Sequence, residues 1–92
     1  MLKIRWTTQA LDDLDTLTDY IAEDNARSAI EIFELIQNCI TPATTHPHLF
    51  RRGRVPDTFE IVAHPNYVVV YEIVDDFIQV LGVLHSRQQY PK

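Results

Sequence analysis

Residues 67–85 read YVVVYEIVDDFIQVLGVLH. Two runs rich in β-branched and aromatic residues, Tyr67 to Val74 and Phe77 to His85, flank the dipeptide Asp75-Asp76. So short a connection permits only an antiparallel hairpin, because a parallel crossover needs a dozen residues or more. The first run is apolar on both sides, with Tyr67, Val69 and Tyr71 on one and Val68 and Val70 on the other. A strand with one wet face would alternate. This strand is therefore expected to be central, with its second face covered, another chain being one candidate cover. Alternation through Phe77 to His85 sets His85 on the face of Phe77, Gln79, Leu81 and Val83.

Upstream, Thr58 to Ala63 reads as a further strand, and Pro65-Asn66 turns the chain into the hairpin. The segment from His46 to Pro56 is a loop with two prolines and the cluster Arg51-Arg52-Gly53-Arg54. Before it lie two helical patterns. Thr7 or Thr8 can cap the first, with Leu11, Leu14, Leu17 or Thr18 and Tyr20/Ile21 at helical spacing. Asp24 or Asn25 can cap the second, with Ala29, Ile30, Phe33, Ile36, Cys39 and Ile40 on its inner side. Pro42 weakens that helix, and Pro47 opposes its continuation past His46. Leu2 to Trp6 alternates as a strand. The expected fold is α+β in the order β-α-α-β-β-β, a small curved antiparallel sheet packed against a helical hairpin.

Ninety-two residues make a single domain, 1–92, with 46% hydrophobic and 23% charged residues. Glu72 and Asp75 interrupt the most apolar run, so no membrane span is expected, and the N-terminus lacks a signal-peptide pattern. One cysteine, Cys39, rules out an internal disulfide. These features suggest a cytoplasmic protein. Net charge is -5, with the excess in residues 1–50, where eight carboxylates face Lys3, Arg5 and Arg27. Direct nucleic-acid binding is disfavoured, since phosphate neutralisation asks for a basic face.

Several residues are candidates for chemistry. His85, two residues from Arg87, fits an acid/base beside an anion clamp. On chemistry alone the preferred reading is the plainer one, a histidine bonded to a loop carbonyl and an arginine paired with a helix carboxylate. Arg51, Arg52 and Arg54 suit a phosphate or an acidic partner, or plain solvated loop charge. His46-Pro47-His48 straddles a proline, and no Cys or carboxylate completes a zinc spacing with His64 or His85, so neither metal nor cofactor is expected. His64-Pro65-Asn66-Tyr67 reads as a turn before it reads as a site. Tyr67, Tyr71 and Tyr90 could stack on bases, but packing suits the first two.

Taken together, several motifs resemble the RelE/ParE superfamily of toxins from type II toxin–antitoxin modules. They are Ala10-x-x-Asp13-Leu14-x-x-Leu17-x-x-Tyr20-Ile21, His46-Pro47-x-Leu49 with Gly53-Arg54-Val55-Pro56, Glu60-Ile61-Val62-x-His64-Pro65-Asn66-Tyr67-x-x-x-Tyr71, and Val83-Leu84-His85-x-Arg87-Gln88. The resemblance covers nearly the whole chain and implies two possible activities. RelE-like members cut mRNA on the ribosome with basic residues on the sheet; ParE-like members poison DNA gyrase. Both are neutralised by an antitoxin, so a hetero-oligomer is implied.

This chain departs from the ribonuclease pattern by placing Glu60, Val62 and Val68 where RelE-like enzymes carry cations. A metal-free ribonuclease needs positioned cations against developing phosphorane charge. The ParE-like reading is therefore preferred, with no catalytic residue. His85, Arg87 and Tyr90 are the set that would serve the nuclease alternative. Arg51, Arg52, Arg54, His85, Arg87, Gln88 and Tyr90 are the expected target-binding surface. Arg5, Tyr67, Val68 and Val70 are the expected antitoxin-binding residues. A third reading is a non-toxic family member kept as a binding or autoregulation partner.

Overall fold

The computed structural model describes residues 1–90. Strand β1 (Lys3–Trp6) leads into helices α1 (Thr8–Asp24) and α2 (Ala26–Cys39), then a 3-10 turn at Thr41–Thr44. Strands β2 (Arg51–Arg52), β3 (Thr58–His64), β4 (Tyr67–Val74) and β5 (Phe77–His85) follow. They form one five-stranded sheet in the order β1-β5-β4-β3-β2. The α+β fold and the helical hairpin are as expected. The sheet itself is mixed: β1 runs parallel to β5, with Lys3 opposite Phe77 and Trp6 opposite Val80. The Arg cluster also contributes the two-residue edge strand β2, which pairs antiparallel with β3.

Local chemistry explains the helix ends. Thr7, not Thr8, caps α1, its Oγ1 accepting from the Ala10 N–H at 3.1 Å. Asn25 caps α2 through Oδ1, which accepts from the Ser28 N–H at 3.1 Å. The buried helical stripe is narrower than the spacing suggested. Ala10, Leu14, Ala29, Ile36 and Ile40 are buried, whereas Leu11, Tyr20 and Ile30 face outward, Ile30 at 61% exposed. A helix turns about 100° per residue, so residues beside the stripe leave the core when the sheet supplies a flat partner.

At the tight turn Asp75 takes φ 56°, a left-handed conformation that aspartate tolerates. The core between helices and sheet gathers Leu14, Ile36, Ile61, Val69, Ile78 and Val80 around Tyr71. Tyr71 is fully buried, stacks on Phe59 with centroids 5.3 Å apart, and donates its hydroxyl to the Pro47 carbonyl.

A bulge between Val70 and Tyr71 pairs Val70 with Gly82 but Tyr71 with Val80, leaving Leu81 over. The extra residue resets the alternation of β5. Ile78, Val80 and Val83 all reach the core, so His85 does not share the face of Phe77 and Gln79.

Candidate functional site: the sheet face under the C-terminal tail

Val68 and Val70 alternate with core-facing Val69 and Tyr71, so they stand on the sheet face turned from the core. Both are only 5% exposed. For Val70 the cover comes from the same chain. A cavity of about 430 Å³ lies over this face, with Val70, Gly82 and Leu84 on the sheet side and Val55, Gln88 and Tyr90 above. Arg54 clamps the tail from the loop. Its guanidinium carbon lies 4.5 Å from the Tyr90 ring centroid, and its Nη1 donates to the Gln88 carbonyl at 3.3 Å.

One row crosses this face from edge to edge. Arg51 pairs with Glu60, Glu60 with Val70, and Val70 with Gly82. Arg51 Nη2 lies 2.8 Å from Glu60 Oε1, and its Nε donates to the same oxygen at 2.9 Å. Glu60 is 4% exposed, and its Oε2 is buried without a partner, as is the Tyr90 hydroxyl. At the far end Asp13 Oδ2 accepts from the Val83 N–H at 3.1 Å, and Oδ1 accepts from Gln9 Nε2 at 2.8 Å. Asp13 thereby occupies the sheet edge that β1 leaves open beyond Trp6. A Cβ on Gly82 would stand 3.1 Å from Asp13 Oδ2, which is why a side chain there would crowd the carboxylate.

The expected target-binding residues do not form one patch. Arg51 is held by Glu60, Arg52 lies over Phe59 at 4.9 Å, and Arg54 serves the tail. His85 sits at the strand end, edge-on to Tyr67 with centroids 5.8 Å apart; His64 lies on Tyr67 at 5.4 Å. His85 Nδ1 accepts from the Arg87 N–H at 3.1 Å, which leaves its Nε2 as the available nitrogen. His85, Arg87 and Gln88 are exposed, and Tyr90 is half-buried. Arg5 lies elsewhere, over Phe77 at 4.3 Å, with its Nε donating to Gln79.

Thus Val70, assigned to one partner by sequence, shares a cavity with Gln88 and Tyr90 of the tail assigned to another. Sequence reasoning did not assign Asp13, Thr58, Gly82 or Val55 to this site. The i, i+4 pair Gln9/Asp13 on an otherwise solvated acidic face was the one available signal. Replacing Asp13 by alanine strands the Val83 N–H and is expected to cost about 1–3 kcal/mol in a urea titration. Asparagine, which keeps an acceptor, should cost less; an unchanged midpoint for alanine would mean that water serves the Val83 N–H equally well.

Among the described residues no group of three or more His, Cys, Asp or Glu is placed to hold a metal ion. No helix there is long and apolar enough to cross a membrane.

The chain is similar to Putative toxin Y4kP of Sinorhizobium fredii, with 34% identity over 91 residues, covering 98% of this chain and 94% of that one. It is also similar to Toxin RelE2 of Caulobacter vibrioides, with 26% identity over 90 residues, covering 96% and 99%. Among solved structures, the chromosomal ParDE TA system from P. aeruginosa superimposes with a TM-score of 0.80 at 20% identity, covering 92% of this chain and 96% of that chain. The isolated E. coli RelE toxin superimposes with a TM-score of 0.65 at 17% identity, covering 98% and 89%. These two structures share the fold. The family described as ParE toxin of type II toxin-antitoxin system, parDE, matches residues 4–90. With a match of that length and a relative at 34% identity, the chain belongs to the ParE family of type II toxin–antitoxin toxins.

Proposed function

We propose that this toxin acts by binding DNA gyrase and stabilising its cleaved complex with DNA, without catalysing a reaction itself, and that a cognate antitoxin neutralises it. The observation that carries the reading is the chemistry of the tail-covered sheet face. Ribonucleolytic cleavage without a metal needs cations held against the phosphate. This face offers Val62, Val68, Val70 and Leu84, and its buried ionic group, Glu60, is a carboxylate whose Arg51 partner is already engaged. Acid at that position repels a phosphate instead of stabilising it. The tail and Arg54 remain as the polar surface presented to the target.

Purified protein is expected to inhibit gyrase supercoiling and accumulate cleaved DNA. Arg54→Ala, which frees the tail from the loop, should weaken that inhibition about tenfold with little change in melting temperature. Untouched gyrase together with cleavage of ribosome-bound mRNA would overturn the reading.

A second reading, ribosome-dependent mRNA cleavage, is favoured by the available Nε2 of His85 beside Arg87, and by similarity to a protein named Toxin RelE2. His85→Gln separates the two, since it should abolish nuclease activity and spare gyrase inhibition. Growth arrest on induction without antitoxin tests the third reading, a non-toxic member. Co-expression with the neighbouring upstream reading frame should yield a complex if the antitoxin is encoded there.

A further inference from the structure

The cavity between the sheet and the tail joins two kinds of surface. Val70, Leu81 and Leu84 of the sheet and Val55 above them are apolar. Gln9, Asp13, Thr58, Gln88 and Tyr90 supply the polar atoms. The volume of about 430 Å³ falls in the range of small-molecule sites and far exceeds the roughly 30 Å³ share of one water.

The hydrogen-bonding capacity of these polar atoms selects the occupant. Thr58 Oγ1 donates to the Val55 carbonyl at 2.6 Å, so toward any other group it can only accept. The two Asp13 oxygens accept one N–H each, from Val83 and from the Gln9 side chain, and each keeps a second lone pair. Gln9 Oε1 is a further acceptor, and the Tyr90 hydroxyl is buried without a partner. Against these stands the Gln88 side-chain amide, whose Oε1 already accepts from the His85 N–H. Acceptors therefore outnumber donors. Asp13 is the one ionised group among the described lining residues, and no lysine or arginine lines the cavity. Arg54 is committed to the Tyr90 ring and the Gln88 carbonyl. Gly82 leaves the Asp13 carboxylate uncovered, having no side chain beside Oδ2.

We propose that this cavity binds a small organic cation, an amidinium or ammonium carried on a compact apolar body. Its N–H donors meet Asp13, Thr58 and Tyr90, and its body rests on Val70, Leu81 and Leu84. Water can serve the polar atoms but gains nothing from the apolar surface. A phosphate or carboxylate meets Asp13 with the wrong sign and finds too few donors. Because Asp13 belongs to α1 and Tyr90 to the tail, the bound cation also holds the tail against the sheet. None of this depends on which cellular target the toxin has.

Benzamidine, benzamide and benzoate share nearly one shape and are positive, neutral and negative, so they serve as the probes. Each is titrated into the full chain at about 0.15 M salt, where exposed charges are screened, with backbone amide NMR as the readout. Benzamidine should saturate at or below about 1 mM, shift the Gly82, Val83 and Gln88 amides, and bind at least tenfold tighter than benzamide. Benzoate should not bind. Saturation should also slow hydrogen exchange of the Gln88 N–H, which bonds the His85 carbonyl at 2.9 Å.

Asp13→Asn keeps an acceptor for the Val83 N–H and should weaken benzamidine at least tenfold. Tyr90→Phe removes a hydroxyl that no group in the chain uses and should weaken it about threefold without loss of melting temperature. Asp19→Asn, at an exposed carboxylate of α1 outside the cavity, should change nothing. Equal affinity for benzamide, equal losses in Asp13→Asn and Asp19→Asn, or undiminished binding to Tyr90→Phe would each overturn the proposal. So would unchanged exchange at Gln88 or the lack of any saturable binding.

Discussion

Tyr71→Ala is expected to remove about 3–5 kcal/mol of stability, as for other large aromatic truncations in a core. Domains of this size hold only about 5–15 kcal/mol in total, so the variant should sit close to its unfolding limit. The reason is that one side chain joins three regions. Its ring stacks on Phe59 of β3 and lies edge-on to Phe50 with centroids 6.4 Å apart, and its hydroxyl ties the Pro47 carbonyl of the long loop. A urea titration should show a lower midpoint with an unchanged slope. A loss under about 1 kcal/mol would refute the central place given to this ring.

Tyr71→Phe keeps the stack and should lose only the hydroxyl's part, about 0.5–1.5 kcal/mol. It also carries a pH signature. Burial pushes the Tyr71 hydroxyl from 10.0 up to about 12. Burial likewise pushes the Cys39 thiol from 9.0 up to about 11, against a smaller lowering by a backbone hydrogen bond. In both groups the unfolded chain ionises first. Their contribution is therefore intact below about pH 9 and is lost as pH rises toward 12. Tyr71→Phe should flatten the upper part of that loss, which denaturation at stepped alkaline pH would record.

Arg51→Ala is expected to be the second largest effect, about 2–3 kcal/mol, because it leaves the Glu60 carboxylate buried and uncompensated. Arg51 is itself 56% exposed, which keeps the cost below that of a fully buried pair. The reverse change behaves differently. Glu60→Leu removes a carboxylate whose Oε2 already lacks a partner and leaves an arginine that water can reach, so it should be nearly neutral or stabilising. Thermal melts of the two single variants and the double variant measure the asymmetry. Equal losses in the two singles would contradict it.

The parts of the fold that local chemistry dictates were readable from residue order. A two-residue connection forced the β4/β5 hairpin, capping side chains marked the helix starts, and the two-sided β4 announced a covered second face. What stayed hidden depends on distant contacts. Leu81 looks like any other strand residue, yet the bulge it creates changes which side chains of β5 meet the core. The parallel partner of β1 is encoded in no local pattern, because strand order follows from packing α1 and α2 across the sheet.

The candidate site was legible as residue types and illegible as an arrangement. Arg54, Gln88 and Tyr90 were recognisable, but nothing in their spacing says that an arginine 36 positions away lies over Tyr90. Glu60 was visible as a missing cation; its burial and its ion pair with Arg51 required the register of β2, a strand of two residues that carries no periodicity.

The parallel pairing of β1 with β5 also sets a clock. Lys3 emerges among the first residues made, but its sheet partner Phe77 is synthesised 74 residues later. At roughly 5–20 residues per second, β1 waits several seconds for its partner. The β1–β5 ladder at the edge of the sheet cannot close before then, because contacts so distant in sequence form only once the intervening chain exists. Until β5 is made, the candidate site also lacks the Gly82 and Leu84 side of its cavity.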